Sequence, residues 1–137
     1  TLMSGYSGTP LIKKLGIKSG LTLRIIAAPS DYWDWISPLP EDIKVMSRSK
    51  KEAADFIHLF AKERKVFEKE FLKLKQELKK DGMLWVSWPK KASKVPSDLD
   101  ETIIRQFGLA HGLVDVKVCA VDETWSGLKF MYRIKDR

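Results

Sequence analysis

The spacing of apolar residues along this chain predicts short buried strands and one long amphipathic helix. Short runs rich in Val, Ile, Leu and aromatic residues are typical of strands in a buried sheet. Such runs predict strands at 21–28, 43–46, 55–61, 83–88, 113–121 and 128–134. Over residues 62–80 the period changes to 3.6, which predicts a helix with one apolar stripe. The stripe consists of Phe67, Phe71, Leu74 and Leu78, and Val66 widens it.

The shorter helices are predicted from residues that can act as N-caps. Ser, Thr and Asp hydroxyls or carboxylates accept hydrogen bonds from the first amides of a helix. The candidate caps are Thr9 for a helix at 10–15, Ser30 or Asp31 for one through residue 36, Ser49 for a single turn at 50–54, and Ser97 or Asp98 for one that ends at Gly108 or Gly112.

This order of elements predicts an α/β fold. Strands alternate with helices until the last two strands, which a short link joins as an antiparallel pair. We therefore expect a single domain over 1–137, with residues 1–9 as a loosely ordered arm. Its architecture should be a three-layer, Rossmann-like domain whose mainly parallel sheet carries an antiparallel C-terminal hairpin strand.

Composition and charge point to a soluble protein with a basic middle. The net charge is +7, and residues 41–94 hold 15 of the 25 Lys and Arg against 9 of the 18 Asp and Glu. Such an excess can attract phosphates or nucleic acid, although basic helices also serve solubility alone. No apolar run is long enough to cross a membrane and no secretory signal is visible, so we expect a cytoplasmic protein without a membrane partner.

Cysteine and histidine offer little material for catalysis. Cys119 lies among apolar residues and is most simply an inert buried thiol. His58 lies inside a predicted central strand, which favours a hydrogen-bonded core histidine, and His111 lies in a helix exit turn. No nucleophile triad, metal-ligand spacing or phosphate loop is visible.

The candidate site is predicted from the end of one strand, which reads Trp88-Pro89-Lys90-Lys91. Proline has no amide hydrogen to donate and so ends the strand, and the two lysines then begin a loop at the carboxyl edge of the sheet. Ligands of open α/β sheets bind at that edge. Four turns should meet there and supply the candidate ligand-binding residues Tyr32, Lys62, Trp88, Lys90, Lys91, Asp122, Glu123 and Trp125, with Asp31 and Glu63 as further acids. Solvated loop charges over a covered core are the competing interpretation.

Two functions compete for this edge. The first is a noncatalytic binding or regulatory module for an anionic ligand, a nucleotide or a nucleic acid, held mainly by Lys90 and Lys91. The second is a divergent transferase with Asp122 or Glu123 as base. We favour the binding module, because two scattered histidines and a missing phosphate loop are poor material for an enzyme.

By topology the chain resembles a reduced S-adenosylmethionine-dependent methyltransferase domain, in which the final hairpin strand inserts between its two predecessors. That resemblance implies a glycine motif after the first strand and an acid at the end of the second. Here the two positions read Ala27-Ala28-Pro29-Ser30 and Val45-Met46-Ser47-Arg48. We therefore expect no cofactor, with S-adenosylmethionine and dinucleotides binding weakly or not at all.

Longer motifs resemble a bacterial family of domains of unknown function. They are Ser4-Gly5-Tyr6-Ser7-Gly8-Thr9-Pro10-Leu11, Lys14-Leu15-Gly16-Ile17, Leu84-Trp85-Val86-Ser87-Trp88-Pro89-Lys90-Lys91, and the stretch 112–130. The resemblance implies a bacterial cytoplasmic protein with no assigned activity, so it supplies no functional residues.

Overall fold

A computed structural model describes residues 9–137, and a six-stranded sheet forms its centre. The predicted arm at 1–9 lies outside these residues except for Thr9. The strands are β1 Thr22–Ile26, β2 Lys44–Val45, β3 Ala54–Phe60, β4 Leu78–Pro89, β5 Leu113–Ala120 and β6 Trp125–Tyr132. The α-helices are α1 Leu11–Leu15, α2 Tyr32–Trp35, α3 Arg64–Glu77 and α4 Glu101–Ala110, and short 3-10 helices span Lys91–Ser93 and Ile134–Asp136.

The sheet has the order β2-β1-β3-β4-β6-β5. Strands β2, β1, β3 and β4 are parallel, and β6 runs antiparallel to both of its neighbours, β4 and β5. The reversed strand therefore lies between the two strands that precede it. This confirms the predicted Rossmann-like class with an antiparallel C-terminal hairpin strand.

Separate apolar cores cover the two faces of the sheet, which gives three layers. On one face α3 and α4 bury Phe67, Phe71 and Ile104 against strand residues that include Phe130. On the other face α1 and α2 bury Leu15, Tyr32 and Ile36 against Phe56 and Trp85. The indole Nε1 of Trp85 donates a hydrogen bond to the Leu15 carbonyl oxygen at 2.8 Å, which ties α1 to the central strand.

Helix α3 ends three residues earlier than its period predicts. The prediction ran to Lys80, but Leu78 is already extended and begins β4. The preceding loop explains the difference, because the amides of Glu52 and Ala53 donate to the carbonyl oxygens of Gln76 and Glu77, both at 2.9 Å. Tertiary hydrogen bonds thus replace the last helical turn, and Leu78 stays buried as part of a strand.

Some predicted caps have other roles. Asp100, not Ser97 or Asp98, caps α4 by accepting from the Ile103 amide at 2.8 Å. The Asp98 carboxylate instead accepts from the first amide of α3, that of Arg64, at 2.6 Å. Ser49 begins no helical turn, and its hydroxyl donates to Glu77 at 2.9 Å. The local sequence shows which residues can act as caps. It does not show which backbone amide lies beside each of them in the folded chain.

Cys119 is half-buried instead of fully buried. Burial raises the pKa of its thiol, against a smaller lowering by Lys117 and Lys14. A raised pKa disfavours the thiolate, which agrees with an inert cysteine.

Candidate functional site

A cavity of about 540 Å³ opens at the carboxyl edge of the sheet, beside the ends of β1 and β3. From β1 the chain leads to the outer strand β2, and from β3 it leads to β4 on the other side. The carboxyl end between such strands is the position at which open α/β sheets bind ligands. Its volume lies in the range of about 300–1,000 Å³ found for small-molecule sites.

The loop after β1 forms one wall. Ala27, the first residue beyond the strand, has a φ of 60°, in the left-handed region that favours glycine. Ala27 and Pro29 both line the cavity. The backbone therefore adopts a left-handed conformation that glycine would adopt more readily, and the side chains of this wall are apolar.

An aromatic stack supports the floor. Phe60, at the end of β3, packs edge-on against Trp125, the first residue of β6, with ring centroids 5.0 Å apart. The other side of Phe60 stacks on the imidazole of His58 at 4.3 Å. Phe60 and Trp125 line the cavity although both are almost fully buried.

His58 is held in a buried polar chain beneath this floor. Its Nδ1 lies 2.9 Å from the Tyr32 hydroxyl, and its Nε2 lies 2.7 Å from the Ser87 hydroxyl. Burial lowers the pKa of His58 to about 3 and raises that of Tyr32. This confirms His58 as a hydrogen-bonded core residue, since a fully buried neutral imidazole does not reach a ligand in the cavity.

Lys62 and Glu63 bring charge to the cavity rim. The Lys62 backbone is fixed, because its carbonyl oxygen accepts from the Ser97 hydroxyl at 2.6 Å and from the Asp98 amide at 3.3 Å. Within residues 9–137, no ion pair engages the Lys62 ammonium. A positioned backbone with an uncommitted cation suits an anionic group of a ligand.

The side chains of Lys90 and Asp122 both form hydrogen bonds within the loop that precedes β6. The Lys90 ammonium donates to the Asp122 carbonyl oxygen at 2.7 Å. The Asp122 carboxylate accepts from the amides of Thr124 and Trp125 at 2.9 and 2.7 Å. These contacts start β6 at Trp125, three residues before the predicted strand, and leave both side chains with structural partners.

The remaining predicted site residues lie apart from the cavity lining. Tyr32, which is completely buried, and Trp88, which is 6% exposed, do not line the cavity. Lys91 and Glu123 are exposed. The structure thus brings Lys62 and Trp125 together in the cavity, with Lys90, Lys91, Asp122 and Glu123 in the adjoining loops; a ligand contact for these four stays a prediction.

Several lining residues were not predicted from the sequence. Val66 was expected to widen the buried stripe of α3, but it is 44% exposed and lines the cavity. Val66 lies beside the stripe and not in it, and this was the sign in the sequence that its side chain could be exposed. Val95 and Thr124 also line the cavity. Thr124 lies in the turn before Trp125 that was predicted at this edge, whereas nothing in the local sequence marks Val95.

Solved methyltransferase structures share this fold. A SAM-dependent methyltransferase from Aquifex aeolicus matches with a TM-score of 0.62 and 14% identity, over 90% of this chain and 88% of that one. The DhpI–SAH complex matches at 0.64 and 10%, over 91% and 83%. The ribosomal protein L11 methylase of Lactobacillus delbrueckii subsp. bulgaricus matches at 0.57 and 13%, over 90% and 75%. At these identities the likeness shows the fold alone.

No protein-family model and no curated protein matches the sequence. The resemblance to a bacterial family of unknown function therefore stays a prediction.

The residues present do not fit S-adenosylmethionine in the manner that the methyltransferase resemblance implies. Ala27 keeps a left-handed turn after β1, but the glycine motif is absent. After β2 the chain reads Met46-Ser47-Arg48, so a cation stands near the expected position of the acid. Strand β2 is only two residues long and both are exposed, which provides little wall for an adenosine group.

Among residues 9–137, no three His, Cys, Asp or Glu side chains group together as metal ligands. None of the helices in this part of the chain combines the length and apolar character needed to span a bilayer.

Proposed function

We propose that this chain is a noncatalytic binding or regulatory module that holds a nucleotide-sized anionic molecule in the carboxyl-edge cavity. The observation that carries the proposal is a cavity of about 540 Å³ beside the ends of β1 and β3, with Lys62 at its rim and no ion pair to neutralise it among the described residues. The apolar lining from Ala27, Pro29 and Val66 suits the uncharged part of such a ligand.

The state of His58 and Asp122 supports a noncatalytic role. His58 lies beneath the floor as a neutral, fully hydrogen-bonded imidazole. Asp122 uses its carboxylate to accept two backbone amides. A general base must reach the proton that it removes, and neither group faces the cavity.

A divergent transferase is the second candidate, favoured by the methyltransferase-like fold and by the left-handed turn at Ala27. Of its two expected bases, Asp122 is occupied and Glu123 lies outside the cavity lining. Glu63 is the carboxylate that the lining itself contains, so it takes their place in this alternative.

Calorimetric titration tests the proposal. The panel comprises AMP, ATP, NAD, S-adenosylmethionine and S-adenosylhomocysteine, and the variants are Lys62→Gln and Lys65→Gln. Lys65 is the matched control, because it is an exposed lysine in the first turn of α3 that does not line the cavity. Loss of a charged hydrogen bond is worth about 1.5–3 kcal/mol, so Lys62→Gln should weaken binding by roughly tenfold or more.

The proposal fails if no anionic member binds, or if Lys62→Gln binds as well as the unmodified chain. Saturable binding of S-adenosylmethionine that Glu63→Gln weakens would instead favour the transferase. The proposed module agrees with the resemblance to a bacterial family without an assigned activity, which we infer from the long motifs at 4–11 and 84–91. A cytoplasmic location stays a prediction.

A further inference from the structure

A second concave region lies at the opposite edge of the sheet, where the parallel strands begin. Two adjacent depressions of about 360 and 570 Å³ share the lining residues Lys51, Leu72 and Gln76, and we call the two together the amino-edge groove. It follows the end of α3 and the start of β4. Because β6 runs antiparallel, its last residue, Tyr132, closes the groove at the same edge.

The lining of the groove is strongly cationic. Lys51, Lys73, Lys75 and Lys80 all contribute to it, and none of them forms an ion pair within the described residues. This accounts for part of the positive excess in the middle of the sequence.

The lining contains two carboxylates, and one of them is already neutralised. Glu77 is almost fully buried and pairs with the Arg24 guanidinium at 2.9 Å, while the Ser49 hydroxyl donates to its second oxygen at 2.9 Å. Glu52 is the remaining acid. Four lysines therefore share one uncompensated carboxylate, which leaves the groove ready for an anion.

Backbone and side-chain contacts hold these lysines in place. The loop that presents Lys51 is pinned by the Glu52 amide, which donates to the Gln76 carbonyl oxygen at 2.9 Å although Glu52 has a left-handed φ of 49°. The Lys75 ammonium donates to the His111 carbonyl oxygen at 2.6 Å. Interactions of this kind fix position without removing charge.

Tyr132 positions a further lysine. The Lys80 ammonium lies 4.4 Å from the centroid of the Tyr132 ring, and the Tyr132 hydroxyl donates to the Lys75 carbonyl oxygen at 3.2 Å. A cation over an aromatic face stays charged. The groove is thus partly preorganised, which lowers the entropy lost when a ligand binds.

We propose that the amino-edge groove binds the sugar–phosphate backbone of a single-stranded nucleic acid. Lysines act on phosphates as point charges, and a groove of lysines that tracks a strand is a common mode of sequence-independent binding. A protein partner fits less well, because interface hot spots need buried aromatic or arginine anchors. Leu72 is the exposed large apolar residue of the lining, and a concave groove also suits a flat membrane poorly.

Fluorescence anisotropy with a labelled oligo(dT) of about 20 nucleotides tests this proposal in the full chain. For single strands each neutralised phosphate contributes about 0.7 to the slope of log K against log salt. The unmodified chain should therefore bind at about 50 mM salt with a slope of roughly −2 to −3. The variant Lys51→Gln/Lys73→Gln/Lys80→Gln should bind at least about tenfold more weakly and lose about 2 from that slope.

The matched control removes the same net charge elsewhere. Lys13, Lys18 and Lys94 are exposed and lie outside the groove, so changing all three to Gln should alter the affinity by no more than about twofold. An equal loss of affinity in both triple variants would refute the groove as the binding site and would indicate general charge attraction instead. Failure of the unmodified chain to bind at low salt would overturn it as well.

Further outcomes separate the groove from its alternatives. Tighter binding of a duplex of equal length would refute the single-strand assignment. Binding to anionic vesicles without binding to the oligonucleotide would indicate that the groove binds a membrane surface instead of a nucleic acid. If the triple variant does not fold, Lys51→Gln/Lys73→Gln leaves the Lys80–Tyr132 contact intact and should still reduce the slope by about 1.4. An unchanged slope in this folded double variant contradicts the proposal. Lys62→Gln should not affect oligonucleotide binding, so the two proposals fail independently.

Discussion

Acidification should destabilise this fold through one buried histidine, and His58→Gln should remove most of that effect. His58 is completely buried, and burial lowers its pKa from the ordinary 6.5 to about 3. In the unfolded chain the imidazole takes up a proton near its ordinary pKa, whereas in the folded chain it stays neutral until about pH 3. Between these values the unfolded state binds more protons, so the free energy of unfolding falls as pH falls.

The expected size follows from the linkage between proton binding and folding. Each pH unit within this window removes about 1.4 kcal/mol, so a change from pH 6.5 to pH 5 removes about 2 kcal/mol. That is a large share of the roughly 5–15 kcal/mol that stabilises an ordinary domain.

Urea unfolding at pH values from 7 to 5 measures this loss. Glutamine does not titrate, so His58→Gln should show a lower stability at pH 7 but a much flatter pH dependence. The second histidine provides the control, because His111→Gln keeps His58 and should keep the loss. An equally steep pH dependence in His58→Gln would refute the assignment of the loss to this imidazole.

Two further predictions concern local contacts. Gly108→Ala should destabilise the chain by about 1–2 kcal/mol, because the new Cβ would overlap Cε1 of Phe130 and overpacking outweighs the usual helix gain of about 0.5–1 kcal/mol. Higher stability in urea unfolding would contradict this. Lys90→Ala should cost about 1 kcal/mol through loss of its hydrogen bond to the Asp122 carbonyl oxygen, whereas Lys91→Ala should stay within about 0.5 kcal/mol; equal effects would show that the Lys90 contact contributes nothing.

The sequence predicted the sheet because period and chain order carry that information. Apolar runs such as the one ending at Phe60 are long and buried on both faces, and the short link before Trp125 allows only an antiparallel pair. The end of helix α3 at Leu78 was predicted wrongly, because it depends on a tertiary contact that the local pattern does not contain. Residues 78–80 continue a helical pattern, and only hydrogen bonds from residues 52 and 53 to the end of α3 decide that the helix stops.

The candidate site was predicted less completely. Strand direction placed Lys62 and Trp125 at the carboxyl edge, because residues that follow a parallel strand and residues that begin the antiparallel strand lie there. Sequence could not show that Tyr32 turns inward to His58, since that contact joins residues 26 positions apart. Likewise, the Lys90 partner is a backbone oxygen, which no sequence pattern reveals.

Amide chemical-shift mapping during a nucleotide titration tests the central claim most directly. The account predicts that ATP, or the tightest member of the calorimetric panel, shifts the amides of residues 61–63, 124 and 125 around the carboxyl-edge cavity. Lys62→Gln should reduce these shifts at equal ligand concentration, and Lys65→Gln should not. Shifts that cluster around Lys51 and Lys80 at the other edge, or no shifts at saturating ligand, would contradict the claim that the cavity is the ligand site.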